Sequence, residues 1–164
     1  MTRPVAGRPS PWLALAGWLA VTYLASALGA IASMNAPSFY AELDRPAWAP
    51  PSSWFGPVWT ALYGMMAVAA WLVWQVRGLS GPLVLYLAQL AVNALWSWLF
   101  FAWRMGGAAF ADIVVLWVMI AATIALFQRI RPLAAWLLVP YLLWVAYAGA
   151  LNYEVWQRNP QVLG

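Results

Sequence analysis

Three sets of side chains in this sequence sit at spacings that could do chemistry. Gln89, Asn93 and Ser97 fall at i, i+4 and i+8, which on a helix makes a polar stripe along one face. Pro140, Trp144, Ala148 and Asn152 repeat that spacing in the last apolar run, and Trp59 and Tyr63 make a third pair one turn apart. In apolar surroundings an amide or an indole N–H is a neutral hydrogen-bonding handle, and an aromatic face is a stacking surface. Such groups recognise a flat, mostly apolar molecule that carries a few acceptors. They serve equally to join helices, each interhelical hydrogen bond being worth about 0.6 to 2 kcal/mol in a membrane. Spacing alone leaves both uses open.

Much other chemistry is excluded by what is missing. The chain has no Cys and no His. There is no thiol nucleophile and no imidazole base, a zinc site would have to be built from carboxylates, and haem ligation by His or Cys is unavailable. No metal site and no required cofactor are expected. Asp112 is the one acid inside an apolar run, where full insertion of its charge would cost on the order of 3 kcal/mol. Its expected partner is Arg104 across a tight turn, which would make the pair a hairpin clamp rather than a proton relay. The net charge of +4 comes wholly from eight scattered arginines, so no nucleic-acid partner is expected.

The elements that must position these groups follow from composition. Of 164 residues, 66% are hydrophobic and 7% charged, with mean hydropathy +0.76. A soluble domain carries roughly 25% charged residues, so the solvent of this chain is lipid. Crossing the hydrocarbon takes about 20 apolar residues. Five segments of one domain qualify, at about 11–33, 57–77, 82–103, 107–129 and 132–156. Four carry a proline near their first turn (Pro11, Pro57, Pro82, Pro132), where the missing N–H costs nothing. Pro140, inside the fifth, should kink it and open space beside Trp144. The first run, behind Arg3 and Arg8, is too long for a signal-peptide core and reads as a retained helix.

Short connections at Gly78–Gly81, Arg104–Gly106 and Ile130–Arg131 make neighbouring helices antiparallel. The fold class is all-α: a five-transmembrane-helix bundle with a long lid loop between helices 1 and 2. Trp12, Trp18, Trp103, Trp136 and Trp156, near predicted ends, read as interfacial belt residues. Arg3, Arg8, Arg77, Arg129 and Arg131 gather on one side, against Arg45, Arg104 and Arg158 on the other. The positive-inside rule then expects a cytoplasmic N-terminus if the membrane is a bacterial inner one. The lack of Lys points to a bacterial cell envelope.

The loop at about 35–56 breaks the pattern of short connections. A connection that long is usually a lid or a binding loop. Its core, 39–53, holds Asp44-Arg45-Pro46 and Trp48-Ala49-Pro50-Pro51, and residues before proline avoid the α region, so an ordered, non-helical path is expected. Gly56-Pro57 should then start the second helix.

Taken together, FYAELDRPAWAPP, FGPVWTALYG, QLAVNALWSWLFF, AFADIVVLW and PLAAWLLVPYLLWVAYAGALNYEVW resemble the translocator protein family, also called tryptophan-rich sensory proteins or peripheral-type benzodiazepine receptors. The matching stretches cover nearly the whole chain from Phe39 onward. The resemblance implies a five-helix bundle, often dimeric, whose first loop closes over a pocket. It implies binding of tetrapyrroles such as protoporphyrin IX, of isoquinoline carboxamides, and of sterols in eukaryotic members. Membrane lipids and a second copy of the chain are the expected partners. Carried over by matching position, the pocket is Trp59, Tyr63, Gln89, Asn93, Trp96, Phe100, Tyr141, Trp144 and Ala148, and the lid is Trp48, Pro50 and Pro51. Leu151, Tyr153 and Arg158 match the sterol-recognition pattern. Some bacterial members degrade porphyrin in light through tryptophans matching Trp59 and Trp144, so an enzyme is one alternative and a porphyrin or sterol transporter another. The family usually has Pro where Trp98 stands, and mammalian members have Trp where Gly107 stands.

Overall fold

The computed structural model describes residues 10–164. Arg3 and Arg8, on which part of the orientation argument rests, lie outside them. Five helices are long and apolar enough to cross a membrane. In chain order the elements are α1 (Pro11–Ala32), α2 (Ala36–Glu42), a single 3-10 turn (Ser52–Trp54), α3 (Phe55–Arg77), α4 (Gly81–Ser97), a π turn (Trp98–Ala102), α5 (Gly106–Gln128), α6 (Pro132–Arg158) and α7 (Pro160–Leu163). α1 begins on a capped turn in which the Ser10 hydroxyl accepts from the Leu13 N–H at 3.3 Å. α3 ends at Gly78, whose φ of 64° suits a residue without a Cβ.

The spanning helices close a ring in the order α1, α3, α6, α5, α4 and back to α1, with α3 and α4 scarcely touching beyond the turn that joins them. Small residues let the helices approach, as lipid-solvated bundles require. Ala67, Ala69, Ala70, Ala134 and Ala135 are all buried, and a Cβ on Gly29 of α1 would stand 3.2 Å from the Ser97 hydroxyl of α4. Interior polar groups pair across the ring, Thr22 with the Tyr86 hydroxyl at 2.8 Å among them.

Several expectations are corrected by packing. The lid is not wholly non-helical: Ala36–Glu42 forms α2, with Pro37 in its first turn where proline is tolerated. α3 starts at Phe55, two residues before Pro57, because the 3-10 turn feeds directly into it. Trp18 is no belt residue; it is buried, its ring edge-on to Tyr86 at 5.9 Å. Trp156 lies flat over the Gly106–Gly107 backbone and stacks on Phe110 at 6.3 Å. Trp12, Trp103 and Trp136 are exposed as the belt requires. Arg104 does not pair with Asp112. Its guanidinium stands 4.7 Å over the Phe39 ring, and the ion pair among the described residues is Arg158–Glu154. α6 runs unbroken through Pro140, which is exposed and no part of a cavity wall. The regular ladder of the third span is instead interrupted at Trp98–Ala102, where the Trp103 N–H reaches back five residues to the Trp98 carbonyl at 2.8 Å. The family resemblance leads to an expectation of Pro at Trp98; here the break occurs without one.

Candidate functional site: a cavity beneath the lid

The polar stripe on α4 faces inward, because lipid offers its amides no partner. Gln89 and Asn93 are buried, and Ser97 is half-buried. The bonds of Gln89 and Asn93 form one connected set. The Tyr63 hydroxyl donates to Asn93 Oδ1 at 2.7 Å, Asn93 Nδ2 donates to the Tyr141 hydroxyl at 2.6 Å, and Tyr141 donates to Gln89 Oε1 at 2.9 Å. One turn toward the lid, Trp96 Nε1 donates to Asn152 Oδ1 at 2.9 Å and Asn152 Nδ2 to the Gly106 carbonyl at 3.1 Å. The gluing use of these side chains is thus realised.

Above this set α1, α3, α4 and α6 part to leave a cavity of about 410 Å³ under α2. That lies in the range of small-molecule sites, about 300 to 1,000 Å³. Trp59, Tyr63, Asn93, Trp96, Phe100, Trp144 and Ala148, all expected at the site, line it. Gln89 and Tyr141 do not. They sit behind the wall, where Tyr141 braces Trp59 edge-on at 6.1 Å. Trp96 and Phe100 stack at 5.4 Å and 14°, a flat aromatic wall.

The lid residues frame the roof without forming it. Tyr147 donates its hydroxyl to the Trp48 carbonyl at 3.0 Å and Tyr40 donates to the Pro50 carbonyl at 3.1 Å, while Pro51 precedes the 3-10 turn. The roof itself is Ala36, Pro37 and Tyr40 of α2. Asn159 clasps the loop to the end of α6: its Oδ1 accepts from the Asp44 N–H and its Nδ2 donates to the Asp44 carbonyl, both at 2.9 Å. Sequence reasoning missed Tyr40, Phe55, Tyr147 and Asn159. Tyr147, one turn from Trp144, was the one with a readable position.

The residues of the sterol pattern are not gathered on one surface. Leu151 is buried and lines the cavity, Tyr153 is exposed against Phe110, and Arg158 pairs with Glu154 at 3.2 Å. Among the described residues nothing charged lines the cavity. The nearest cation is at the rim, where the Arg45 guanidinium stands 4.6 Å over the Tyr40 ring. Burial pushes the Tyr40 hydroxyl above its usual pKa of 10.0, and Arg45 beside it offsets part of that rise. Among the described residues, one fully buried polar side-chain atom without a partner belongs to a residue of the cavity wall, Nε1 of Trp144.

These features define a class: an integral membrane bundle enclosing an aromatic, charge-free cavity under a structured loop between its first two spans. The chain matches the TspO/MBR family over residues 11–157 and belongs to it. It is 39% identical to the Translocator protein of Bos taurus over 91% of this chain and 92% of that one. It is also 39% identical to the Tryptophan-rich sensory protein of Cereibacter sphaeroides, over 86% of this chain and 91% of that one. The Protein CrtK of Rhodobacter capsulatus is 39% identical over 83% and 86%.

Proposed function

We propose that this membrane protein is a receptor for tetrapyrroles such as protoporphyrin IX and for related flat hydrophobic ligands, isoquinoline carboxamides among them, held in the cavity under the first loop. One observation carries it: the Trp144 indole N–H is buried in the cavity wall with nothing to donate to. A buried donor without a partner costs on the order of 1–3 kcal/mol. A neutral acceptor on the ligand, a carbonyl or a ring nitrogen, would recover that energy once a turn of the Trp144 indole brings its N–H to the cavity, while the ligand's ring plane meets Trp96, Phe100 and Trp59. No cofactor is needed for this role. The neutral lining favours ligands whose charged groups stay at the rim, near Arg45. The reading includes a homodimer in the lipid bilayer, for which the exposed Ala88 and Ala91 of α4 offer a flat contact. It excludes sterol recognition through Leu151, Tyr153 and Arg158 acting as one surface.

Quenching of tryptophan fluorescence by protoporphyrin IX tests it, wild type against Trp144→Phe. Loss of one hydrogen bond to a neutral acceptor should raise Kd about 2-fold to 10-fold. Saturable quenching with unchanged Kd would remove Trp144 from the site.

A second reading, light-driven porphyrin degradation, is favoured by the aromatic neighbours of the two cavity tryptophans. Trp59 lies 5.5 Å from Tyr63, and Trp144 lies 5.6 Å from Tyr147. Illuminating the bound complex and following the porphyrin absorbance separates the two: no loss beyond that of porphyrin bound to albumin leaves the receptor alone.

A further inference from the structure

The cavity is not equally closed on all sides. No lining residue of α4, the π turn or α6 is exposed: Asn93, Phe100, Ala148, Leu151, Asn152 and Val155 are buried, and Trp96, Ser97 and Trp144 are half-buried. The exposed lining residues come from elsewhere. They are Ala30 of α1, Pro37 of α2, Ser52 of the 3-10 turn, and Gly56 and Thr60 at the start of α3. All are small or compact, and apart from Pro37 of the roof they lie on α1 and on the chain entering α3, along the seam where those two helices meet.

The depth of this seam follows from helix rise. At 1.5 Å per residue, Thr60 lies about 8 Å below the start of α3, and Ala30 about 3 Å from the end of α1. The seam is therefore at the level of the headgroups and upper acyl chains, where flat amphiphiles dissolve. Its lower end is closed by Tyr23, whose hydroxyl donates to the Thr60 carbonyl at 2.9 Å and lies against Gly64. Its upper bank is fixed, since the loop above is held by the Asn159 clasp on Asp44, by Tyr147 on the Trp48 carbonyl and by Arg104 over Phe39. Opening the top would break all of these. Entering from the side breaks none.

We infer that the cavity exchanges its ligand directly with the bilayer, through the seam between α1 and α3 bordered by Ala30, Ser52, Gly56 and Thr60, while the lid stays fastened. The class of ligand is a membrane-dissolved planar amphiphile, arriving with its polar edge at headgroup level. The inference rests on the cavity being a ligand site, as proposed above. Gly56 is the natural point to obstruct it, because a Cβ built there meets nothing within 4 Å, so a side chain can start there without a clash.

The test is kinetic, in liposomes loaded with protoporphyrin IX, following tryptophan quenching after mixing. Gly56→Phe blocks one bank and Ala30→Phe, on the exposed face of α1, blocks the other. The lid is locked separately in an Asp44→Cys, Asn159→Cys pair joined by a short bis-maleimide, which is clean because the chain has no Cys of its own. Gating changes act on rates rather than on equilibrium. Each plug should slow association and dissociation together, by about 10-fold, so that the change in Kd is smaller than the change in either rate, and the locked lid should leave both rates near those of the uncrosslinked pair. Slow exchange on locking the lid, with both plugged variants exchanging at wild-type rates, would overturn the portal alone. No saturable quenching by the unmodified protein would overturn the ligand-site reading, and the portal with it.

Discussion

Tyr141→Phe removes a single oxygen from the interior of the bundle. Tyr141 is fully buried, and its hydroxyl both accepts from Asn93 at 2.6 Å and donates to Gln89 at 2.9 Å. The phenyl ring remains, so apolar packing, including the contact with Trp59, is kept. What is lost is two hydrogen bonds at once, leaving a Gln89 acceptor and an Asn93 donor facing each other's vacated partner. Membrane hydrogen bonds average about 0.6 kcal/mol and reach about 1.7, so the pair is worth about 1 to 3 kcal/mol. The assay is reversible unfolding in mixed micelles on an SDS gradient, read by circular dichroism. The companion variant is Gln89→Leu in the Tyr141→Phe background, which deletes the orphaned acceptor as well. Removing both partners is far less costly than removing one, so the double variant should fall short of the sum of the singles by about 0.5 to 1.5 kcal/mol. A Tyr141→Phe protein within about 0.3 kcal/mol of wild type, with additive singles, would show that the buried amides do not depend on this hydroxyl.

At Gly106 an added methyl would stand 2.7 Å from Trp156 Cδ1 and 2.9 Å from the Leu163 carbonyl, so Gly106→Ala should cost about 1–3 kcal/mol in the same assay. Gly17→Ala, open on the exposed face of α1 with nothing within 4 Å, is the control and should gain about 0.5–1 kcal/mol. The lid should loosen in alkali. Burial holds the folded-state pKa of Tyr40 above its unfolded value of 10.0, so the stabilising proton is kept below pH 10 and lost as pH rises through the folded value. Hydrogen exchange of residues 36–48, corrected for intrinsic rate, should therefore quicken above pH 10 in wild type and not in Tyr40→Phe.

How much of this was legible in the sequence depends on whether a residue carries a directional signal. Gln89 and Asn93 did: an amide in an apolar run can satisfy itself only inward, and their spacing gave the face. The number of spans and the short turns followed from hydropathy and from Gly and Pro. Trp18 was misplaced because α1 is apolar on every side. In such a helix nothing tells a lipid-facing indole from a core one, so nearness to the end was the sole clue. Arg104 was assigned to Asp112 by proximity in the chain. The lid lies across the α4–α5 turn, and the Phe39 face offered the guanidinium a nearer partner from about 65 residues away. The helical piece of the lid was hidden by its prolines, which suggested an extended path although Pro37 falls in the one turn of α2 that accepts it. Asn159 is polar beyond the last span, and without the fold it is one more solvated residue.

The π turn at Trp98–Ala102 has a consequence for how this chain can change over descent. A ring closed over five residues holds one more residue than an ordinary helical turn, like a spare link in a chain. Deleting one residue there would restore a regular ladder without sacrificing a backbone hydrogen bond, so the span itself would survive. The wide ring absorbs its extra residue locally, so the chain beyond it would keep nearly its present facing. Arg104 over Phe39 and the Gly106 carbonyl beside Asn152 would stay where they are. One residue more or less in this span is thus tolerated by the bundle and by the roof of the cavity alike.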